Sequence, residues 1–190
     1  AEIIEIESVG TKVAEGTVRN SIIAVSVASF FVMLYVLYAF RRLEKSYRFA
    51  FSAVLTLVHD VVLVTGIYAL LGHIFGLQVN SVFIVALLTV IGYSVNDTIV
   101  IFDRIRENQI KFPDNKYSSN INISINESII RSLGTSITTL LVLFSMLVLG
   151  GSTLREFIVV LILGVIVGTY SSIFIASQFL IIWEEGIKKK

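Results

Sequence analysis

From Gly92 to Asn108 the chain reads GYSVNDTIVIFDRIREN, which is apolar at its start, charged at its end and free of internal glycine and proline. A single helix can therefore leave a membrane here and continue into water. Asn96 and Asp97 lie in the apolar part. A carboxylate at the centre of a bilayer costs about 3 kcal/mol or more, so such a residue is by default a candidate for function. The first question for the rest of the chain is therefore which side chains it places opposite Asp97.

The composition is that of a membrane protein. Of the 190 residues 55% are hydrophobic and 15% are charged, whereas soluble domains carry about 25% charged residues. The absence of cysteine excludes disulfides and thiolate chemistry, and the two histidines lie far apart, so we predict no metal site and no cofactor. No phosphate-binding loop or nucleophile motif occurs, so we expect no enzymatic activity. Because the net charge is only +1, we expect no nucleic-acid partner.

The pattern of apolar segments predicts an all-α, polytopic transmembrane helix bundle within residues 19–184. A span needs about 20 apolar residues. The fourth must begin near Ser128, because the apolar run that starts at Ser136 is too short, and this start draws Arg131 into the membrane. The predicted spans are 21–40, 49–71, 80–102, 128–149 and 157–183, joined in part by loops at 41–48 and 103–127.

The first 18 residues are polar and acidic, unlike the predicted spans. Glu2, Glu5 and Glu7 interleave with isoleucine, which is a weak strand-like alternation. We expect an extracytoplasmic tail here. Two interpretations stay open, an unstructured segment or a short residual strand that ends an extracytoplasmic domain located upstream.

The distribution of basic residues predicts the orientation. Eleven of them would lie on one side of the membrane, namely Arg41, Arg42, Lys45, Arg48, Arg104, Arg106, Lys111, Lys116 and Lys188–Lys190. Only Lys12, Arg19 and Arg155 would lie on the other. Since positive residues concentrate in cytoplasmic loops, we predict that loops 41–48 and 103–127 and the basic tail 185–190 are cytoplasmic and that the N-terminus is outside.

Three ionisable residues fall inside the predicted spans. At 1.5 Å per residue, Asp97 lies about 25 Å from the outer end of its span. Arg131 lies about 5 Å from the inner end of its own. The two therefore share a depth and can pair, with Asn96 beside them. Asp60 falls near the middle of the second span. Chains of acidic, basic and hydroxyl groups at such depths mark ion or proton paths.

Helical spacing predicts a polar seam inside the bundle. Thr135 and Thr138 follow Arg131 on one helix face, and Ser94 shares a face with Asp97. His59, next to Asp60, is a further candidate. Separately, Gly164 and Gly168 form a small-xxx-small spacing, which favours close helix packing.

Each of these residues also has a structural interpretation. Asp97 and Arg131 can form a static ion pair that only orients two helices, or Arg131 can pair with Glu127 on its own helix. Asp60 can bond to neighbouring hydroxyls or to His59, and His59 can be an ordinary interior histidine.

These motifs together resemble the SecF family of the SecDF protein-export complex, which is related to the resistance–nodulation–division (RND) transporters. The resemblance runs from Val9 to about Trp183. It rests on LVHDV at 57–61, IGYSVNDT at 91–98, FDRIREN at 102–108, residues 122–131, TSITT at 135–139, the glycines at 150–151 and GVIVGTYSSI at 164–173. So many motifs in one order make the resemblance specific.

The resemblance implies an RND/SecDF-type bundle in the bacterial inner membrane. SecF-like proteins have six spans with a periplasmic domain between the first two, so this chain would hold the last five spans and the final strand of that domain. The family's membrane acidic residue falls on Asp97, its membrane arginine on Arg131 and its His-Asp pair on His59 and Asp60.

The resemblance also implies a function and partners. The family works with SecD and the SecYEG translocon, with YajC as a further partner, and contacts translocating preprotein, protons and membrane lipid. It uses the proton-motive force to promote preprotein translocation. A scaffold that only holds SecD to the channel, and a small-molecule proton-driven exporter of the RND type, are the alternatives.

Overall fold

The computed structural model describes the backbone of residues 2–41, 43, 45–151 and 154–188, and the side chains of those between 15 and 184. This part of the chain contains helices and no β-strand. The helices are α1 (Glu2–Ala39), α2 (Tyr47–Phe75), α3 (Ser81–Lys111), α4 (Tyr117–Leu149), α5 (Arg155–Ser171) and α6 (Ser177–Lys188). A π-helical turn, Ser172–Ala176, joins α5 and α6 into one continuous helix.

The predicted all-α, polytopic membrane bundle is confirmed. Five helical segments are long and apolar enough to cross a membrane: Glu15–Ala39, Tyr47–Phe75, Ser81–Lys111, Tyr117–Leu149 and Arg155–Glu184. Helices suit this environment because the hydrocarbon core offers no hydrogen-bond partners, and a helix pairs its backbone N–H and C=O groups with one another.

The short strand predicted near the N-terminus is wrong. Residues 2–18 form the first part of α1 instead of a strand. A strand needs a neighbour to satisfy its backbone hydrogen bonds, and no strand occurs in the described residues to supply one, whereas a helix bonds to itself.

The segment interpreted as a loop is mostly helical. The apolar pattern placed the start of the fourth helix near Ser128, but α4 begins at Tyr117 and only residues 112–116 separate it from α3. Asn and Ser side chains of the predicted loop 103–127 instead bind one helix to the other. Asn120 Nδ2 donates to the Phe112 carbonyl at 2.9 Å, and Asn108 Nδ2 donates to Ser124 Oγ at 2.9 Å.

Helix α3 is the centre of the bundle and contacts the other four spans. Its closest neighbour is α5, and two glycines make that approach possible. A Cβ atom at Gly164 would collide with the Val90 side chain, and one at Gly168 would lie 2.9 Å from Ser94 Cβ. Near the charged end of α3, Phe102 packs edge-on against Phe49 with ring centroids 5.3 Å apart. Small residues in α5 therefore set the spacing that brings the polar side chains of α3 and α5 together.

We expect Gly164→Ala to destabilise the protein by about 1–3 kcal/mol, because overpacking a tight helix contact forces side chains and backbone apart. The measurement is the midpoint of thermal unfolding in detergent. Gly66→Ala is the matched control, since a Cβ atom there meets nothing within 4 Å and alanine favours helix formation by up to about 1 kcal/mol. Equal midpoints for the two variants would contradict the packing account.

Candidate functional site: buried carboxylates around helix α3

Asp60 is a buried carboxylate held by hydroxyl groups from two other helices. The residue is 2% exposed. Its Oδ2 atom accepts hydrogen bonds from Ser94 Oγ of α3 at 2.5 Å and from Ser171 Oγ of α5 at 2.8 Å. Its Oδ1 atom lies 3.1 Å from Nδ1 of the half-buried His59. Asp60 thus joins α2, α3 and α5 through groups that suit either a charged or a neutral carboxyl.

The π-helical turn lies beside this cluster. Ser172, its first residue, shares a hydrogen bond with Thr98 across 2.8 Å and donates to the Ser94 carbonyl at 3.2 Å. Ser171 and Ser172 are both fully buried, although they follow each other in the chain. Single π-helical turns occur frequently at functional sites. The hydroxyls are visible in the sequence, but the turn that positions them has no sequence signal that we identified.

Asp97 is a second buried carboxylate, 7% exposed, on the side of α3 that faces α4. Its Oδ2 atom accepts a hydrogen bond from Ser132 Oγ at 2.5 Å. No ion pair joins it to Arg131 among the described side chains, where Arg131 is exposed. The reason is helical phase: successive residues are about 100° apart, so only one of Arg131 and Ser132 can point at α3.

A row of serines on α4 is the feature that sequence reasoning missed. Ser124, Ser128, Ser132 and Ser136 are all buried and recur every fourth residue, which places them on one helix face. Ser136 Oγ is 3.1 Å from the Tyr93 hydroxyl of α3 and 2.6 Å from Thr169 Oγ1 of α5. The spacing of four was the available signal, and it was hidden because the first serine, Ser124, lies in the predicted loop 103–127.

Two residues of the predicted seam, and Asn96 of the predicted relay, face away from the bundle. Asn96, Thr135 and Thr138 are exposed, and each threonine hydroxyl bonds to its own helix, Thr135 to the Ser132 carbonyl and Thr138 to the Thr135 carbonyl, both at 2.9 Å. The prediction that the two threonines line the interior of this bundle is therefore wrong. They share the exposed face of Arg131, whereas the buried Ser94 does lie in the interior.

A cavity of 560 Å³ opens between α1, α3 and α4 at the charged end of α3. Its polar lining includes Asp103, Glu127, Ser128 and Arg131. Ser128 is one helical turn from Ser132, the hydrogen-bond donor to Asp97. The cavity thus reaches to within one turn of the buried carboxylate.

Ion pairs join several of the residues that line this cavity. Glu127 binds Arg104 at 2.8 Å rather than Arg131, so the alternative of a Glu127–Arg131 pair is not formed. Arg104 also binds Glu107 at 2.5 Å. Exposed pairs of this kind contribute little to stability. They do occupy Arg104, and among the described residues no carboxylate pairs with Arg131, the other cation of the lining. Within the described part of the chain, no group of acidic and histidine side chains could hold a metal ion.

Comparison with known proteins identifies the family. Residues 1–186 match the family model described as protein export membrane protein SecD/SecF, C-terminal. The chain belongs to this SecD/SecF C-terminal family. It is 42% identical over 177 residues to the protein translocase subunit SecF of Thermobaculum terrenum, covering 93% of this chain and 56% of that one. It is 41% identical over 188 residues to the protein translocase subunit SecDF of Thermus thermophilus, covering 99% of this chain and 24% of that one.

A solved structure supports the same SecD/SecF assignment. The chain is similar to the crystal structure of SecDF, a translocon-associated membrane protein from Thermus thermophilus, with a TM-score of 0.78 and 42% identity over 88% of this chain and 22% of that one. The chain spans 56% of the length of the first SecF relative and 60% of a second, from Anaerolinea thermophila. These relatives are named as translocase subunits.

We expect Ser132→Ala to lower the stability of the protein by about 1–3 kcal/mol, because it removes the hydrogen-bond donor of a buried carboxylate. The thermal unfolding midpoint in detergent measures this. Ser145→Ala, on the same helix, is the matched control: Ser145 is exposed and its hydroxyl bonds only to the Leu141 carbonyl of its own helix. A loss no larger than the control's would contradict the hydrogen bond to Asp97.

Proposed function

We propose that this chain is the membrane part of a SecF-type subunit that uses the proton-motive force to promote preprotein translocation. Membership of the SecD/SecF family and the names of the relatives, translocase subunits SecF and SecDF, support the role in translocation. The relative in which SecD and SecF form one chain supports SecD as the immediate partner. SecYEG, YajC and the translocating preprotein complete the proposed assembly.

In this proposal Asp97 takes up and releases the proton. The observation that carries it is a carboxylate within a span whose hydrogen-bond donor in the described part of the chain, Ser132, lies a single turn from a residue of a polar cavity. A buried carboxylate without a cation is costly to charge, whereas the same group next to a cation is favoured in its charged form. Proton transfer therefore requires a change in what Asp97 faces.

Arg131 is the proposed source of that change. It lines the cavity and precedes Ser132, so a rotation of α4 by about 100° exchanges the serine hydroxyl at Asp97 for the guanidinium. The neutral carboxyl accepts the hydrogen bond from Ser132, and the charged one pairs with Arg131. Two discrete arrangements of one helix, each favoured by one protonation state, form a switch that could drive larger movements.

The proton path beyond Asp97 includes Ser128 and the cavity. Ser128 lies between Ser132 and the open lining, which carries Glu127 and Asp103 as further acceptors. Asp60 is a second proton acceptor in this proposal, since its hydroxyl partner Ser94 belongs to the same helix as Asp97, one turn away. Asn96 is exposed and contributes by polar contact outside this bundle.

The proposed placement follows the basic residues. The charged ends of α3 and α4 face the cytoplasm of a bacterial inner membrane, and the start of α1 faces outward. The cavity beside Asp97 then opens toward the cytoplasm, which is the side where a proton driven by the proton-motive force is released.

A scaffold role is the second candidate, and one observation favours it. Asp60 connects three helices through Ser94 and Ser171, which is the arrangement of a structural hydrogen-bond network. In that case the buried carboxylates hold the bundle together for SecD to bind, and no proton moves through them.

The decisive experiment is proton-driven preprotein export in vesicles that contain the complete natural protein and its partners. We expect Asp97→Asn to abolish the proton-dependent component, because an amide cannot take up or release the proton, and Arg131→Met to reduce it at least about tenfold, which corresponds to about 1.4 kcal/mol. Copurification with the SecD-like subunit should stay at the level of the unsubstituted protein.

Thr89→Val on the same helix is the control, because Thr89 is exposed and its hydroxyl bonds only to the Val85 carbonyl. Unchanged export with Asp97→Asn would end the relay proposal. Loss of copurification would instead assign the carboxylate to the scaffold role.

A further inference from the structure

A second cavity lies where four helix ends meet. It has a volume of 420 Å³ and lies between the start of α2, the end of α3, the start of α4 and the end of α6. We call this end of the bundle the basic end, because it carries Arg41, Lys45, Arg48, Arg104, Arg106, Lys111 and Lys116. The residues proposed for proton transfer do not line this cavity.

Two residues of the cavity lining each carry a buried hydrogen-bond donor that has no partner among the described residues. The Arg48 side chain is 9% exposed and pairs with Glu184 through Nη1, but its Nε atom is buried without an acceptor. Gln109 Nε2 is likewise buried without an acceptor among the described residues. Only three buried side-chain polar atoms of the described residues lack a partner, and two of them belong to this lining. Since an unpaired buried donor is destabilising, this coincidence indicates that an acceptor binds in this cavity.

The charge of the lining favours an anion. Lys45 and Arg48 face one carboxylate, Glu184, whose Oε1 atom lies 3.7 Å from Lys45 Nζ. The two cations leave a net positive charge in the lining. Lys45 adopts a φ of 66°, in the left-handed region that is unfavourable for a residue other than glycine. Backbone strain at a basic residue of a cavity is typical of ligand-binding positions.

The rest of the lining is apolar and lies at the membrane boundary. Leu43, Phe49 and Ile110 complete one side of the cavity. Near the same end, Trp183 packs edge-on against Phe51 with ring centroids 4.8 Å apart, and tryptophan concentrates at membrane–water interfaces. Basic pockets between transmembrane helices at this level are the sites where phospholipid headgroups bind.

We infer that this cavity binds the phosphate of an anionic phospholipid. Arg48 Nε and Gln109 Nε2 donate hydrogen bonds to the phosphate oxygens, Lys45 supplies the counter-charge, and the apolar residues contact the glycerol and upper acyl region. A bound lipid would fasten the starts of α2 and α4 to the ends of α3 and α6, and so fix the basic end of the bundle.

The test is native mass spectrometry of the complete natural protein with its partners, purified in detergent and loaded with phosphatidylglycerol or phosphatidylcholine. We expect phosphatidylglycerol to remain bound and Gln109→Glu to weaken its binding about tenfold, since it replaces a donor by a negative charge. This substitution keeps the oxygen that accepts from Asn120 Nδ2 at 3.3 Å. Lys45→Asn removes the cation and tolerates the left-handed backbone, so the same loss is expected from a second, independent position.

Asn126→Asp is the matched control, because it adds the same charge to the same end of the molecule at an exposed residue that is about 180° around α4 from the cavity residue Tyr117. Its lipid binding should equal that of the unsubstituted protein. Equal binding in all four proteins would overturn the inference. Inorganic phosphate that binds in the cavity and displaces no lipid would overturn the assignment to a phospholipid, as would retention of phosphatidylcholine at the level of phosphatidylglycerol.

Discussion

The structure depends on the requirement that a carboxylate inside a membrane must have hydrogen-bond donors. Asp60 and Asp97 meet it through serine hydroxyls from neighbouring helices, and Asp60 also contacts His59. A hydroxyl can donate to a charged carboxylate and can also accept from a neutral one, so it tolerates both protonation states. A permanent partner such as arginine would favour the charged form alone. The serines therefore favour neither protonation state exclusively, and in the proposed switch it is the exchange for Arg131 that favours the charged form of Asp97.

The positions of these hydroxyls depend on the contact between α3 and α5. Gly168 brings α5 close enough for Ser171 to reach Asp60 beside Ser94, and the π-helical turn then directs Ser172 to Thr98. On the other side of α3, the serine row of α4 contacts Asp97. Two buried acidic sites thus form around a single helix, α3. They depend on the spacing between α3 and α5, on the π-helical turn and on the phase of the serine row of α4.

The sequence predicted the helical class, the five membrane segments and the two acidic positions, because apolar runs of spanning length and a charge within them are local features. The sequence-based prediction failed where the contacts of a side chain depend on helical phase and on neighbouring segments of the chain. The depth of Arg131 is consistent with pairing, but depth does not specify the direction of a side chain around its helix. Ser132 occupies the place opposite Asp97. The polar residues 103–127 were predicted to be a loop, although Asn and Ser side chains of this segment bind α4 to α3. The π-helical turn follows from packing that no local pattern encodes.

The central claim is that Asp97 changes protonation in the working protein. Infrared difference spectroscopy tests this most directly, by recording the carbonyl stretch of neutral carboxyl groups in the complete natural protein as the pH is raised. The account predicts a band that disappears with rising pH, that is missing in Asp97→Asn, and that persists in the Thr89→Val control. A spectrum in which Asp97→Asn removes no titrating band would contradict it, and the buried carboxylates would then be structural.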